Sequence, residues 1–277
     1  MAEAATTKAD PAASAADSPV RRENRDGIAI LTLQKPATRN SLSSATMSVL
    51  QEMLAACAGD PAVRVIVLAH EGPAFSAGHD LREVSGLIAA RDTDAQHALL
   101  TQCSTLMQQV QKITKPVIAE IAGVATAAGC QLAAACDLVV AGRSARFGTP
   151  GVNIGLFCST PMVALSRAVA SPKHAMEMLL TGELVDAEHA FRIGLVNRVV
   201  DDAGLRDATL ALAAQIASKS QATIAIGKAA FYRQLGMPLA EAYAFTSDVM
   251  VGNLAIDDAN EGICAFIEKR APSWSDR

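Results

Sequence analysis

The chain has 277 residues, 51% of them hydrophobic, and a formal net charge of −4. That size and apolar content suffice for one large α/β core. The acidic balance speaks against a nucleic-acid partner and no apolar run reaches transmembrane length. Cys57, Cys103, Cys130, Cys136, Cys158 and Cys264 show neither a C-x-x-C pair nor a metal-binding spacing, so they read as reduced thiols in a cytosolic compartment.

Residues 1–22 are Ala-rich, with Thr, Ser and Pro, and read as a disordered tail. They contain no apolar signal region, and Glu3, Asp10 and Asp17 argue against an acid-poor mitochondrial presequence, so a cytoplasmic location is expected. Residues 27–33 alternate and form a first strand. A loop at 36–41 leads to a helix over 42–58, which Asp60-Pro61 breaks. Residues 63–68 are a buried strand. Asp80 is an N-cap, and the Asp80-x-x-Glu83 spacing predicts a capping box at the next helix start. A helix over 94–113, a strand at 117–121, a helix at 127–135 and a strand at 138–141 follow; this alternation argues for stacked βαβ units. Beyond residue 159 the pattern is mainly helical, over 161–169, 172–180, 187–193, 205–218, 223–235, 239–253 and 257–269. A short strand at 195–200 interrupts it.

Two segments carry the chemistry. Phe75-Ser76-Ala77-Gly78-His79-Asp80-Leu81 joins a strand to a helix start, and Pro116 to Asp137 runs strand, loop, helix. Both present backbone N–H groups at a strand-to-helix junction. Two such groups converging on one point form an oxyanion hole for a thioester oxygen, assisted by the helix dipole.

FSAGHDL and KPVIAEIAGVATAAGCQLAAACDLVVA, followed by Phe147-Gly148-Thr149-Pro150, resemble the signature segments of the crotonase (enoyl-CoA hydratase/isomerase) superfamily. GHDL, ATAAGCQL and TPGVNIGLFCSTP resemble a narrower branch within it. The resemblance spans residues 23–270. It implies an α/β fold, a spiral of ββα units over 23–205 with a C-terminal helical region over 206–277 that builds homotrimers or dimers of trimers. It also implies an acyl-CoA thioester ligand of fatty acid metabolism, coenzyme A as part of the substrate, no separate cofactor and no metal.

The resemblance places the oxyanion amides at His79 and Ala128. It places the two hydratase glutamates, which hold and shuttle the protons of one water, at Gln131 and Gly151. Neither present residue moves protons at neutral pH, and a positioned acid or base is worth about 10²–10⁴ in rate. Standard hydration should therefore be weak or absent, while the backbone hole remains. Ala128, where glycine is usual, fits a left-handed backbone poorly and should narrow the hole. The His79 imidazole either packs or replaces the lost acid/base chemistry. Gln131 either packs or orients a water or a carbonyl.

Of the remaining acids, Glu83 is explained by its capping spacing, Glu120 by an edge position or a salt bridge, and Asp137 by structural hydrogen bonds. Cys158 lines the pocket, its neighbours being neutral. Phe157 and Met162 predict a reshaped, apolar acyl pocket. By resemblance, Thr38, Arg39 and Ser41 border the coenzyme, Ala77, His79, Asp80 and Leu81 give backbone contacts, and Phe266 and Lys269 reach a neighbour's ligand. Lys269 reads equally as a solvated lysine at a helix end. The enzyme reading covers proton transfer, decarboxylation or thioester hydrolysis. The alternative is a non-catalytic acyl-CoA-binding or regulatory oligomer.

Overall fold

The computed structural model describes residues 17–276. Strands alternate between two sheets along the chain. β1 (Val20–Arg25), β2 (Ile28–Leu33), β3 (Val65–His70), β5 (Val117–Ile121), β7 (Leu138–Gly142) and β10 (Arg198–Val200) form a six-stranded sheet in that order. β4 (Ala74–Ser76), β6 (Val124–Thr126), β8 (Arg146–Gly148) and β9 (Val185–Asp186) form the second, four-stranded sheet. Each turn of the chain lays one strand in each sheet, β3 then β4, β5 then β6, β7 then β8, which is the expected ββα spiral. Among the described residues only the β1–β2 and β8–β9 pairs are antiparallel.

Helices cover both faces of the larger sheet. α1 (Ser44–Gly59), α2 (Leu81–Ala89), α3 (Thr93–Lys112) and α4 (Ala128–Ala135) are the first four. Leu50, Leu54, Leu106, Val110 and Leu132 from α1, α3 and α4 meet Leu31, Leu33, Ile66, Leu68 and Phe147 in the main core. β2 and β3 read as near-continuous apolar runs because both of their faces are buried, as parallel strands require. The opposite face carries Ile28, Ile30, Val65, Val67 and Ile118. Leu205, Leu212 and Ala213 of α8 (Leu205–Ala217) cover it. Between lie α5 (Pro161–Ala168), α6 (Pro172–Thr181) and α7 (Ala187–Arg192); α9 (Gln221–Gln234), α10 (Leu239–Leu254) and α11 (Asp257–Glu268) complete the chain. Among the described residues no helix is long and apolar enough to cross a membrane.

The tail expected over 1–22 does not hold for its last residues. β1 begins at Val20 and pairs antiparallel with β2, so the backbone ladder and the buried Val20 order a segment whose other side chains are polar. Residues 1–16 lie outside the described part.

Two polar attachments hold the C-terminal helices to the body. Lys228 of α9 donates to Asp137 Oδ2 at 2.6 Å and to the Val110 and Lys115 carbonyls, and Tyr232 donates to Asp137 Oδ1 at 2.8 Å. Asp137 also accepts the Val117 N–H at 2.7 Å. Glu120, on an inner strand, pairs with Arg206 at 3.0 Å, the salt bridge expected of it.

Candidate active site

His79 follows β4 and forms a parallel bridge with Leu42, whose N–H donates to the Gly78 carbonyl at 2.8 Å. Within this bridge Leu42 is the residue whose N–H faces the neighbouring segment, with Gly78 and not His79 as its acceptor, so the His79 N–H faces away from Leu42. The His79 N–H therefore faces the side on which β6 and α4 lie, because β6 pairs with β4 there. Ala128 is the first residue of α4, where helical N–H groups have no intrahelical acceptor. Among the described residues, neither the His79 nor the Ala128 N–H donates to a protein acceptor.

The two junctions are in contact. A Cβ on Gly78 would lie 3.2 Å from the Ala128 nitrogen and 2.9 Å from the Ala127 Cβ. A Cβ on Gly129 would fall 2.2 Å from the Ser76 carbonyl, so only glycine lets the first turn of α4 lie on the β4 backbone. The Ala127 N–H donates to the Gly148 carbonyl at 2.9 Å, which ties the same turn to β8. The left-handed strain expected at Ala128 falls one residue earlier. Ala127 holds φ 50° and ψ −120°, while Ala128 is already helical, so the sharp turn is made before the amide and not at it.

The loop before α1 is fastened to the first junction. Arg39 and Asn40 both adopt left-handed backbone, with φ of 52° and 51°. The Asn40 side chain accepts the Lys35 N–H and donates to the Glu71 and Ala74 carbonyls. Its role was visible in sequence only as an asparagine in a loop, a residue type that tolerates this conformation. The Arg39 carbonyl accepts the Ala77 N–H at 3.0 Å, the Thr38 hydroxyl donates to the Lys35 carbonyl at 3.1 Å, and the Ser41 hydroxyl donates to Asp80 at 3.3 Å. Thr38, Arg39, Ser41, Ala77, His79, Asp80 and Leu81 thus occupy one neighbourhood, with Leu81 exposed.

Asp80 caps α2 as expected, accepting the Arg82 and Glu83 N–H groups. The capping box is only half formed. Glu83 turns across to α1, where it accepts the Ser44 N–H at 3.0 Å and the Ser44 hydroxyl at 2.5 Å. A carboxylate at the positive end of α1 satisfies donors that would otherwise be orphaned.

The His79 Nδ1 lies 3.2 Å from the Leu42 carbonyl and so carries the proton, which leaves Nε2 as acceptor. Nε2 is buried and has no partner among the described residues. Burial lowers the His79 pKa below the ordinary value, opposed by the Leu42 hydrogen bond and by the Glu83 charge. Gln131 is buried on α4, and the Cys103 thiol of α3 lies 3.9 Å from its Oε1. Burial pushes the Cys103 thiol up to about 11, so this pairing is of neutral groups.

Gly151 is buried in a short 3-10 turn, Pro150–Ile154. The Leu156 N–H donates to the Gly151 carbonyl at 2.9 Å, and the chain from Leu156 to Cys158 folds over this position. Cys158 is buried and its thiol pKa is raised by that burial, which suits pocket lining rather than nucleophilic chemistry. Phe157 and Met162 are about 40% exposed, at 43% and 39%. Thr149, assigned no role of its own from sequence, is fully buried, with its hydroxyl unpartnered among the described residues.

Phe266 and Lys269 lie at the end of α11. Phe266 is 85% exposed and Lys269 ends the helix in left-handed backbone at φ 56°. Among the described residues no hydrogen bond joins them to the two junctions. Among the described residues no group of His, Cys, Asp and Glu could hold a metal ion.

The model of the enoyl-CoA hydratase/isomerase family matches residues 23–277. The chain belongs to that family. The chain is 46% identical over 257 residues to enoyl-CoA hydratase domain-containing protein 3, mitochondrial, of Homo sapiens, covering 93% of this chain and 84% of the relative. The crystal structure of the human domain-containing protein 3 superposes with a TM-score of 0.89 at 45% identity, covering 92% of this chain and all (100%) of that one. A crystal structure of an enoyl-CoA hydratase of Mycobacterium smegmatis superposes with a TM-score of 0.88 at 46% identity, covering 92% and 98%. These matches place the chain in the crotonase superfamily and in the branch of the domain-containing protein 3.

The relatives also correct one expectation. The human, Xenopus laevis and Rattus norvegicus proteins are designated mitochondrial, which overturns the cytoplasmic location read from the N-terminal composition. The physical reason is plain. Reduced cysteines exclude only oxidising compartments, and a few acidic residues in a terminal segment are a weak signal.

Proposed function

We propose that this protein binds an acyl-CoA thioester with its carbonyl between the His79 and Ala128 amides, and that it stabilises an enolate-like oxyanion there. The observation that carries this reading is the meeting of two unpaired amides at facing strand-to-helix junctions. A negative oxygen between them gains two backbone donors and the positive end of α4. Family membership supports the ligand class.

Gln131 on α4, Thr149 after β8 and the neutral His79 imidazole are uncharged hydrogen-bonding groups, and the Glu83 carboxylate, whose charge acts on His79, is engaged by Ser44. With no carboxylate at 131 or 151, addition of water across an enoyl double bond lacks its proton shuttle. Exchange of the α-carbon proton with solvent water is the simplest step the hole promotes: water takes the proton and later returns one, and the two amides stabilise the enolate oxyanion left in between. Exposed Phe231, Leu239, Tyr243, Val251 and Ile267 on the C-terminal helices support assembly into trimers or dimers of trimers, with those side chains covered by other copies.

The test is incubation with crotonyl-CoA and a short acyl-CoA panel in heavy water. Deuterium uptake at the α-carbon without hydration supports this reading. Tight binding with neither exchange nor turnover supports the non-catalytic acyl-CoA binder, the second reading, which the missing carboxylates favour.

A further inference from the structure

Two polar groups beside position 151 have no partner. The Leu156 carbonyl reaches back over Gly151, where a Cβ would lie 2.2 Å from its oxygen, and among the described residues no N–H donates to it. The Thr149 hydroxyl, two residues before Gly151, is buried and equally unpartnered among the described residues. A polar group left without a hydrogen bond costs free energy, which a ligand that supplies the partner recovers.

Both groups adjoin the second oxyanion donor. The Gly148 carbonyl, one residue before Thr149, accepts the Ala127 N–H at 2.9 Å, and Thr126 stands beside Gly148 in the β6–β8 ladder. The Cys130 thiol lies on the same first turn of α4 as the Ala128 amide. It is hydrogen-bonded to the Gly148 main chain and is close enough to Cys158 for the two thiols to act on each other. The Cys158 sulfur in turn lies 2.8 Å from the place of a Cβ on Gly151. The turn that presents the Ala128 amide is thus packed against the strand end before Thr149 and against the loop that carries Leu156.

A carbonyl at this place accepts a hydrogen bond as a carboxylate does, but it has no proton to exchange at neutral pH. It can hold a donor and cannot shuttle protons. A hydroxyl both donates and accepts. On the acyl chain it would donate to the Leu156 carbonyl and accept from Thr149, whereas an unsubstituted alkyl chain leaves both groups unpaired. A site built to pair a ligand hydroxyl rejects the analogue that lacks it far more strongly than an apolar pocket rejects a change of one methylene.

We propose that the Leu156 carbonyl and the Thr149 hydroxyl are specificity-determining groups that select an acyl thioester with a hydroxyl on its α- or β-carbon. This rests on the acyl-CoA reading above.

Calorimetry on the full chain with butyryl-CoA, 2-hydroxybutyryl-CoA and 3-hydroxybutyryl-CoA tests this. One of the hydroxylated ligands binds about tenfold tighter than butyryl-CoA, the worth of a paired hydroxyl. Thr149→Val, which keeps the shape of the side chain, cuts that ratio to about threefold or less and does not lower the melting temperature, because no hydrogen bond within the protein is lost. An ester in place of the Leu156–Phe157 peptide bond weakens the same carbonyl as an acceptor and cuts the ratio with every side chain kept; it serves if Thr149→Val does not fold. Hydroxylated ligands that bind no tighter than butyryl-CoA overturn the selection and leave the acyl-CoA reading standing. A ratio unchanged in both variants overturns the assignment to these two groups. Wild-type protein that binds none of the three overturns the acyl-CoA reading itself.

Discussion

The carbonyl oxygen of Leu156 occupies the space that a side chain on Gly151 would need. A Cβ there would lie 2.2 Å from that oxygen and 2.8 Å from the Cys158 sulfur. Main chain has closed over the place that a side chain at 151 would take. Gly151→Ala should destabilise the fold by about 1–3 kcal/mol, the usual cost of overpacking, measured by denaturant titration. Gln131→Glu with Gly151→Glu should not restore crotonyl-CoA hydration. A folded double variant that hydrates crotonyl-CoA would show that the loop yields easily.

Ala127 carries the sharp turn that delivers the second amide, at φ 50° and ψ −120°. Glycine adopts this conformation without a Cβ clash. Relief of strain outweighs the extra freedom of glycine in the unfolded chain, so Ala127→Gly should raise stability by about 1 kcal/mol, seen as a higher melting temperature. A loss of stability would mean that the turn is unstrained.

The strand–helix alternation, the two junction segments and the cap at Asp80 were legible because each rests on local periodicity or local hydrogen bonding. The short strands β4, β6, β8 and β9 were not, since two or three residues give no period; pairing with strands distant in sequence defines them. The Glu83–Ser44 contact joins residues 39 apart, and spacing within α2 pointed instead to a local cap. Leu156 over Gly151 is a main-chain contact, which no residue type announces.

Asp137 and Lys228 form a well-buried ion pair, with side chains 16% and 7% exposed. Removing one partner leaves the other charge uncompensated. Asp137→Ala should cost about 3–5 kcal/mol in chemical denaturation, and Lys228→Met in the Asp137→Ala background should recover part of it. Additive losses would contradict a direct coupling.

His79 gives an acid sensitivity of definite sign. Burial holds its folded-state pKa below the ordinary value of 6.5, so the unfolded chain takes up the proton first. Its contribution is complete above about pH 6.5 and declines as the pH falls toward the lower folded value. His70, lowered by the same cause, adds to this. His79→Gln should therefore flatten the loss of stability between about pH 7 and 5, read from melting curves across that range. An unchanged slope would mean that His79 is hydrated in solution.

The polarisation of a bound thioester carbonyl tests the two-amide arrangement most directly. Difference infrared spectroscopy of butyryl-CoA carrying ¹³C at the carbonyl isolates its stretching band in the complex. Donors at His79 and Ala128 should move that band to lower frequency than in water, and Gly78→Ala, which crowds the Ala128 nitrogen, should reverse the shift. A bound thioester whose carbonyl band stays at its aqueous frequency would contradict the oxyanion hole.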